Sequence, residues 1–187
     1  QEEELEAGIE KLVTLLDGQP VHALVNNAGI SPKQENGNRL DTLTTDQSTW
    51  AEVLQVNLLA PALLTRRLTQ SLQRGQGAVV NVTSIAGTRV HRFAGPAYAA
   101  SKAALSTLTR ELASDLGSLG IRVNAVSPGE IKTEMLSVAT ADEMIEDIPL
   151  HRLGNVEEVA SAIYFLCCGS ASYINGAEIE INGGQHV

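Results

Sequence analysis

The sequence predicts an α/β fold in which a parallel β-sheet is covered by helices on both faces. Short apolar runs of strand length alternate along the chain with longer segments whose apolar residues recur at helical spacing. This alternation favours parallel strands joined by helical crossovers, and such strands are continuously apolar because both faces of the sheet are buried. The chain is long enough for one domain with a sizeable core, so residues 1–187 are interpreted as a single domain.

The elements follow one another in a regular order. Helices are predicted over 1–16, 46–74, 97–119 and 156–168, and strands over 21–25, 77–84, 121–129 and 177–181. Pro61 lies inside the second helix and is expected to kink or interrupt it. The segment 130–154 is polar and predicts only short helical pieces.

Composition and charge limit the classes of partner. The formal net charge of −9 argues against binding to a nucleic-acid backbone, which needs a dense basic stripe. No stretch is long and apolar enough to span a membrane. Cys167 and Cys168 are adjacent and make no disulfide framework, and free thiols suit a reducing cytoplasm. The histidines show no metal-ligand spacing, so no metal site is predicted.

Small or polar residues follow three of the predicted strands. They are Asn26, Asn27 and Gly29 after the first strand, Ser84 after the second, and Pro128 and Gly129 after the third. Ligands of open parallel sheets bind outside the carboxyl ends of the strands, so this set predicts a binding crevice. Each residue alone is equally well explained as part of a turn.

Tyr98 and Lys102 are the strongest candidates for chemistry. They are four residues apart in a predicted helix and therefore lie on one face. A cation near a phenol favours the phenolate, which lets the tyrosine exchange a proton with an alcohol or carbonyl oxygen near neutral pH. Ser84, at a strand end, can hydrogen-bond the same oxygen. The alternative is a surface Tyr and Lys on an amphipathic helix. Arg89, His91 and Arg92 form a local basic cluster that is interpreted as a solvated loop.

Several short motifs extend this pattern over the whole chain. They are Asn26-Asn27-Ala28-Gly29, Asn57 in VNLLAP, Ser84 in NVTSIAG, Tyr98-Ala-Ala-Ser-Lys102, Asn124 in RVNAVSPG, Pro128-Gly129-x-Ile131-x-Thr133, PLHRLGNVEEVA and INGAEIEINGG. In their order and spacing the chain resembles the classical branch of the short-chain dehydrogenase/reductase family, especially its 3-oxoacyl-[acyl-carrier-protein] reductase and polyol dehydrogenase types. The resemblance implies a Rossmann-like, doubly wound parallel sheet in three αβα layers.

The resemblance also implies roles for individual residues. Tyr98 is the expected general acid/base, Lys102 lowers its pKa and binds the nicotinamide ribose, Ser84 polarises the substrate carbonyl, and Asn57 holds a water of a proton relay. The cofactor is NAD or NADP, and its implied contacts are Asn26, Ala28, Gly29, Tyr98, Lys102, Pro128, Gly129, Ile131 and Thr133. The segment 134–150 is the implied substrate lid. Members of the family are commonly dimers or tetramers, so a homo-oligomer is expected.

The chain departs from the family pattern in one respect. It contains no G-x-x-x-G-x-G turn, which in the family supplies backbone N–H groups to the cofactor pyrophosphate. The first strands of the family sheet are therefore expected to be missing from these 187 residues, and weak or no dinucleotide binding is expected of the chain by itself. Two hypotheses remain: an NAD(P)-dependent carbonyl reductase or alcohol dehydrogenase acting on a small molecule, and a non-catalytic oligomerisation or binding module or inactive fragment.

Overall fold

A four-stranded parallel sheet forms the centre of the computed structural model, which describes residues 2–132 and 144–187. The strands, in chain order and in spatial order, are β1 (Ala23–Asn26), β2 (Ala78–Val82), β3 (Arg122–Pro128) and β4 (Glu178–Ile181). All three pairings are parallel. The predicted parallel sheet is confirmed, and the observed strands are one to three residues shorter than the predicted ones.

Five α-helices that lie wholly within residues 2–132 and 144–187 cover the sheet. They are α1 (Glu2–Leu16), α2 (Gln47–Leu54), α3 (Ala60–Gly75), α4 (Pro96–Gly117) and α5 (Val156–Cys167). One core cluster joins α3 and α4 to one face of β2 and β3, with residues of α1 packed against it. A second cluster joins α5 to the opposite face of the sheet. The three-layer αβα architecture is therefore confirmed for the residues described.

The helical segment around Pro61 is continuous but irregular. Asp46 caps α2 by accepting a hydrogen bond from the Thr49 N–H at 2.7 Å. A π-helical turn, Gln55–Leu59, connects α2 to α3, and Pro61 lies in the first turn of α3. Proline has no N–H, and the first turn of a helix does not need one. At the predicted interruption the helix is therefore not broken, but its hydrogen bonds change to the π-helical pattern. The π-helical turn contains the buried Asn57.

A chain of buried amides links the sheet to α4. The Asn26 Nδ2 donates to Asn81 Oδ1 at 2.8 Å, and Asn81 Nδ2 donates to Thr109 Oγ1 at 2.9 Å. Thr109 Oγ1 in turn donates to the Leu105 carbonyl at 2.8 Å. Asn26 and Asn81 are also register partners in the pairing of β1 with β2. Because buried polar groups must be hydrogen-bonded, this series of hydrogen bonds fixes both the register of β1 on β2 and the position of α4 against the sheet.

Asn124 fixes the start of the last strand. Its Nδ2 donates to the Ile174 carbonyl at 2.9 Å, and its Oδ1 accepts from the Ala177 N–H at 3.0 Å.

Cys167 and Cys168 are free and half-buried at the end of α5. Within 2–132 and 144–187, none of the helices has the length and apolarity that a membrane crossing requires.

Asn81→Ala should destabilise the fold, because it leaves the buried Asn26 amide without its acceptor. We expect the free energy of unfolding to fall by about 1–3 kcal/mol, the usual cost of one buried unpaired group. Urea denaturation followed by circular dichroism measures this. Asn38→Ala, at an exposed loop position, is the matched control. It should change the free energy of unfolding by only a few tenths of the fall expected for Asn81→Ala. An equal effect of the two substitutions would contradict the role given to Asn81.

Candidate active site

Ser84 stands where β2 ends and the chain turns toward α4. Its Oγ accepts a hydrogen bond from the Ala86 N–H at 3.2 Å and so caps the 3₁₀ turn Ile85–Gly87. The Ser84 hydroxyl also lies close enough to the phenol of Tyr98, two residues into α4, to lower its pKa. The structure therefore brings together the strand-end serine and the helical tyrosine that the sequence singled out.

Burial controls the protonation of Tyr98. Desolvation raises the pKa of its phenol above the usual value, and the negative charge of Glu130 acts in the same direction. The Ser84 hydroxyl acts in the opposite direction, because it favours the phenolate. The net pKa of Tyr98 is thus raised, and an attraction by Lys102, which the family resemblance implies, is not among the causes of this shift.

Lys102 lies on the same face of α4 as Tyr98, one turn further along. Its side chain is buried, with 3% of the residue exposed, and its Nζ donates to the Val82 carbonyl at 2.6 Å. The Nζ is 5.6 Å from the centroid of the Tyr98 ring, over the ring and not at the hydroxyl. Desolvation lowers the pKa of the Lys102 ammonium to about 8. Lys102 is thus positioned by the end of β2 and is close to losing its charge at mildly alkaline pH.

Asn57 is fully buried in the π-helical turn, and its carboxamide is committed to other residues. Its Oδ1 accepts from the Ile30 N–H at 2.8 Å, while its Nδ2 donates to the Ile30 carbonyl at 3.0 Å and to Ser101 Oγ at 3.0 Å. These bonds fasten the loop after β1 to α4. Pro61 has no N–H to offer the main-chain carbonyl of Asn57, which is its α-helical acceptor four residues earlier. The Asn57 carboxamide is therefore fully used by groups of the protein itself.

The residues after β1 separate into two kinds. The Asn26 carboxamide is turned into the protein toward Asn81, whereas Ala28 and Gly29 are exposed at the strand end. A Cβ at Gly29 would lie 3.3 Å from Lys102 Nζ and 3.4 Å from Asn57 Oδ1. Glycine therefore keeps the space beside the ammonium free of side-chain atoms.

The turn after β3 is held by close backbone contacts. A Cβ at Gly129 would lie 2.6 Å from the Asn182 Cβ, so only glycine fits there. The Gly154 N–H donates to the Glu130 carbonyl at 2.9 Å, and Ile131 forms an isolated parallel bridge with Gly154. Pro128, Gly129 and Ile131 thus lie at the same sheet edge as Ser84.

Part of the predicted site lies outside the described residues. This applies to Thr133 and to residues 134–143 of the predicted lid. From the remainder of that segment, Met144 and Ile148 are buried against the protein.

The sequence interpretation missed a pair formed by His91 and Glu130. His91 Nε2 and Glu130 Oε1 are 2.5 Å apart, and their side chains are only 16% and 11% exposed. His91 Nδ1 accepts from the Phe93 N–H at 3.2 Å, so the neutral ring carries its proton on Nε2, facing Glu130. Interpreting this loop as solvated was wrong for His91. The two residues are 39 positions apart in sequence, and only the neighbouring ends of β2 and β3 bring them together.

No metal centre is visible in the part of the chain that the structure describes. Within it, no three His, Cys, Asp or Glu side chains are grouped so that they could hold an ion. The candidate site is therefore built from hydroxyl, ammonium and amide groups, with one buried carboxylate beside them.

Comparisons with known proteins identify the family of the chain. The family model described as enoyl-(acyl carrier protein) reductase matches residues 1–186. Protein FixR of Bradyrhizobium diazoefficiens is 55% identical over 98% of this chain, and the galactitol 2-dehydrogenase of Cereibacter sphaeroides is 40% identical over 90% of it. The chain spans 66% of the length of each of these two relatives.

Solved structures match the fold as well. A short-chain dehydrogenase/reductase family oxidoreductase from Brucella ovis, solved with a partially ordered NAD, has a TM-score of 0.81 and 49% identity. The match covers 97% of this chain and 75% of that one. The predicted fold class and the predicted family are both confirmed.

Lys102→Met should stabilise the free protein at pH 7 by about 1–3 kcal/mol, because it removes a buried charge whose pKa is depressed by burial. Between pH 8 and about 10.4 the unfolded chain binds more protons at Lys102 than the folded chain does. The free energy of unfolding of the wild type therefore rises with pH through this window, and its difference from that of the variant shrinks.

Urea denaturation of both proteins from pH 7 to 10 measures the change. Lys11→Met, at an exposed position on α1, is the matched control, and its difference from wild type should stay constant over the same range. A Lys102→Met difference that also stays constant would contradict the burial cost.

Proposed function

Because the chain belongs to the short-chain dehydrogenase/reductase family, we propose that it carries the catalytic residues of an NAD(P)-dependent oxidoreductase. The reaction is hydride transfer between the nicotinamide and a carbonyl or secondary alcohol of a small molecule, and Tyr98 is its general acid/base. The observation that carries the proposal is the meeting of Ser84, Tyr98 and Lys102 at one sheet edge, with the Lys102 ammonium over the Tyr98 ring and the Ser84 hydroxyl close enough to act on the pKa of the phenol.

The residues present fit a nicotinamide dinucleotide. Lys102 Nζ has three N–H groups, and the Val82 carbonyl takes one of them, which leaves donors for ribose hydroxyls. Gly29 keeps the space beside that ammonium open. Ala28, Pro128, Gly129 and Ile131 supply the walls of the crevice, with Asn26 held behind them. When bound, the cofactor supplies or accepts the hydride, and NAD or NADP is the cofactor we propose.

Ser84 and Tyr98 handle the substrate oxygen. In the reducing direction negative charge develops on the carbonyl oxygen, and two preorganised hydroxyl groups stabilise it. A raised pKa keeps Tyr98 protonated at neutral pH, so the phenol is ready to donate its proton to that oxygen. In the oxidising direction Tyr98 must first lose its proton, and this requires a higher pH or a nearby positive charge.

Lys102 and Asn57 support the proton transfer. The Lys102 ammonium, held above the Tyr98 ring, attracts the phenolate when it forms. Asn57 positions the loop after β1 through Ile30 and the start of α4 through Ser101. Pro61 has no N–H to donate to the main-chain carbonyl of Asn57, and we assign this carbonyl as the group that binds a relay water.

The assembly proposed for the protein is a homo-oligomer in the cytoplasm. Exposed apolar side chains on α5 support an interface there, since Tyr164 is 74% exposed and Phe165 is 41% exposed. Residues 1–187 are proposed to belong to a single domain.

Tyr98→Phe should lower turnover about a thousandfold, which is within the usual range for losing a general acid/base, and leave the fold intact. The measurement is NAD(P)-linked alcohol oxidation and carbonyl reduction by the full-length gene product. Tyr173→Phe is the matched control, because Tyr173 is fully exposed and distant from the sheet edge of the site. Unchanged activity in Tyr98→Phe would refute the assignment.

The cofactor proposal predicts nucleotide binding that depends on a pyrophosphate site. Fluorescence titrations with NADH and NADPH would compare the 187-residue chain with the same chain joined behind the Gly-rich N-terminal region of a relative. We expect the joined chain to bind and to show which nucleotide is preferred, because it has backbone donors for the pyrophosphate. If both proteins are folded and neither binds NADH or NADPH, the cofactor proposal is wrong and the alternative of a non-catalytic binding module is favoured.

A further inference from the structure

The hydrogen-bonded pair of His91 and Glu130 is the one buried charged group near Tyr98 that the proposed reaction has not used. His91 Nε2 and Glu130 Oε1 are 2.5 Å apart, and the two side chains are only 16% and 11% exposed. Because His91 Nδ1 accepts from the Phe93 N–H, the ring donates its other proton, on Nε2, to the carboxylate. This is the bonding pattern of a neutral imidazole, so the pair as a whole carries the negative charge of Glu130.

The pair joins two segments that meet at the start of α4. His91 lies in the loop 88–95, which leads directly into α4, and Tyr98 is in the first turn of that helix. Glu130 belongs to the turn after β3, and its main-chain carbonyl accepts from the Gly154 N–H at 2.9 Å. The bond between His91 and Glu130 therefore fixes the turn after β3 relative to the helix end that carries Tyr98.

The loop 88–95 is also held from its other side. Arg39 Nη1 donates to the His91 carbonyl at 3.1 Å, and Lys33 Nζ donates to the Phe93 carbonyl. Both cations come from the segment between β1 and α2. With the main chain of His91 fixed in this way, its ring has a defined position from which to hold the Glu130 carboxylate.

The remaining charged groups around the pair have other partners. Arg92 lies 3.9 Å from Asp147, and Arg152 is bonded to Glu158 through two hydrogen bonds. Within residues 2–132 and 144–187, only the His91 side chain is hydrogen-bonded to the Glu130 carboxylate. The charged residues that surround the pair, on the loops and strands packed against it, are Lys33, Arg39, Arg89, Arg92, Lys132, Asp147, Arg152, Glu158 and Glu180.

The charge of Glu130 reaches the phenol of Tyr98. It raises the pKa of that phenol, in the same direction as burial, because a negative charge opposes the formation of a second one nearby. The Lys102 ammonium stands over the ring, 5.6 Å from its centroid, and not at the hydroxyl. The position of the Glu130 carboxylate therefore matters for how readily Tyr98 gives up its proton.

We propose that His91 and Glu130 are positioning residues for Tyr98, in which His91 holds the Glu130 carboxylate where its charge opposes formation of the phenolate. Tyr98 is thereby kept as a proton donor at neutral pH, and alcohol oxidation, which needs the phenolate, is moved to more alkaline pH. Glu130 acts through its charge, and His91 acts through Glu130. The inference rests on the proposed function, in which Tyr98 exchanges a proton with the substrate oxygen.

The first test is Glu130→Gln, which removes the charge but keeps an oxygen that can accept the His91 proton. We expect the pH of half-maximal kcat for alcohol oxidation by the full-length gene product to fall by about one pH unit, because no like charge opposes the phenolate. Glu111→Gln, at an exposed position further along α4, is the matched control and should leave this pH unchanged. An unchanged or higher value in Glu130→Gln would overturn the inference.

The second test asks whether His91 acts through Glu130. His91→Ala should lower the same half-maximal pH by up to about one unit, because the carboxylate loses its donor and turns away or takes up a proton. His91→Gln, which keeps an N–H donor, should restore most of the wild-type value, and the exposed His22→Ala should not change it. In the Glu130→Gln background, His91→Ala should have no further effect. An equal further shift in that background would overturn the inference.

A direct titration separates this inference from the proposed function. The phenol of Tyr98 is followed by NMR in the full-length protein with isotope-labelled tyrosine, and its signal is identified by its loss in Tyr98→Phe. We expect Glu130→Gln to lower the midpoint of this titration by about one pH unit. If the midpoint falls but the protein oxidises no alcohol, the positioning pair is upheld and the proposed function is refuted. If the protein is active and the midpoint does not move, the function stands and the positioning pair is refuted.

Discussion

The burial of the Lys102 ammonium is the interaction around which the site is arranged. Its Nζ is fixed on the carbonyl of Val82, two residues before Ser84, and it faces the bare backbone of Gly29. The end of β2, the loop after β1 and the face of α4 must all be in place for this contact to form. A buried cation is costly unless its hydrogen bonds are supplied, so stability at this point is given up for a donor group in the crevice.

Electrostatics divide the site into two halves. On one side of Tyr98 lies Lys102, whose pKa is lowered to about 8 by desolvation. On the other side lies Glu130, whose charge raises the pKa of the phenol. The pKa of Tyr98 therefore responds to its own burial and to the charge of Glu130, and a ligand that changes either one changes the readiness of the phenol to give up its proton. His91 shares in this control, since its Nε2 proton faces the Glu130 carboxylate.

Local patterns in the sequence were enough for the strands, the helices and the pair Tyr98–Lys102. Their signals are apolar periodicity and a four-residue spacing, which act within one element. The contact of His91 with Glu130 and the amide chain from Asn26 through Asn81 to Thr109 depend on how separate elements meet. No spacing rule specifies such contacts. The π-helical turn at Asn57 was signalled only indirectly, by Pro61 in an otherwise helical pattern. The family motifs predicted which residues cluster, but not that burial would raise the pKa of Tyr98.

The parallel sheet has a consequence for how the molecule folds. Ala23 pairs with Ala78, Ala78 with Arg122, and Ala125 with Glu178, so every pairing joins residues separated by a whole crossover. No hairpin is available to start the sheet locally, and the loop-closure entropy of each crossover must be overcome before its strand is paired. Pairings of this kind form slowly, whereas a helix such as α4 can form early from local contacts. Tyr98 and Lys102 can therefore share a helix face early in folding, but Lys102 reaches Val82 and Glu130 reaches His91 only after the strands have closed.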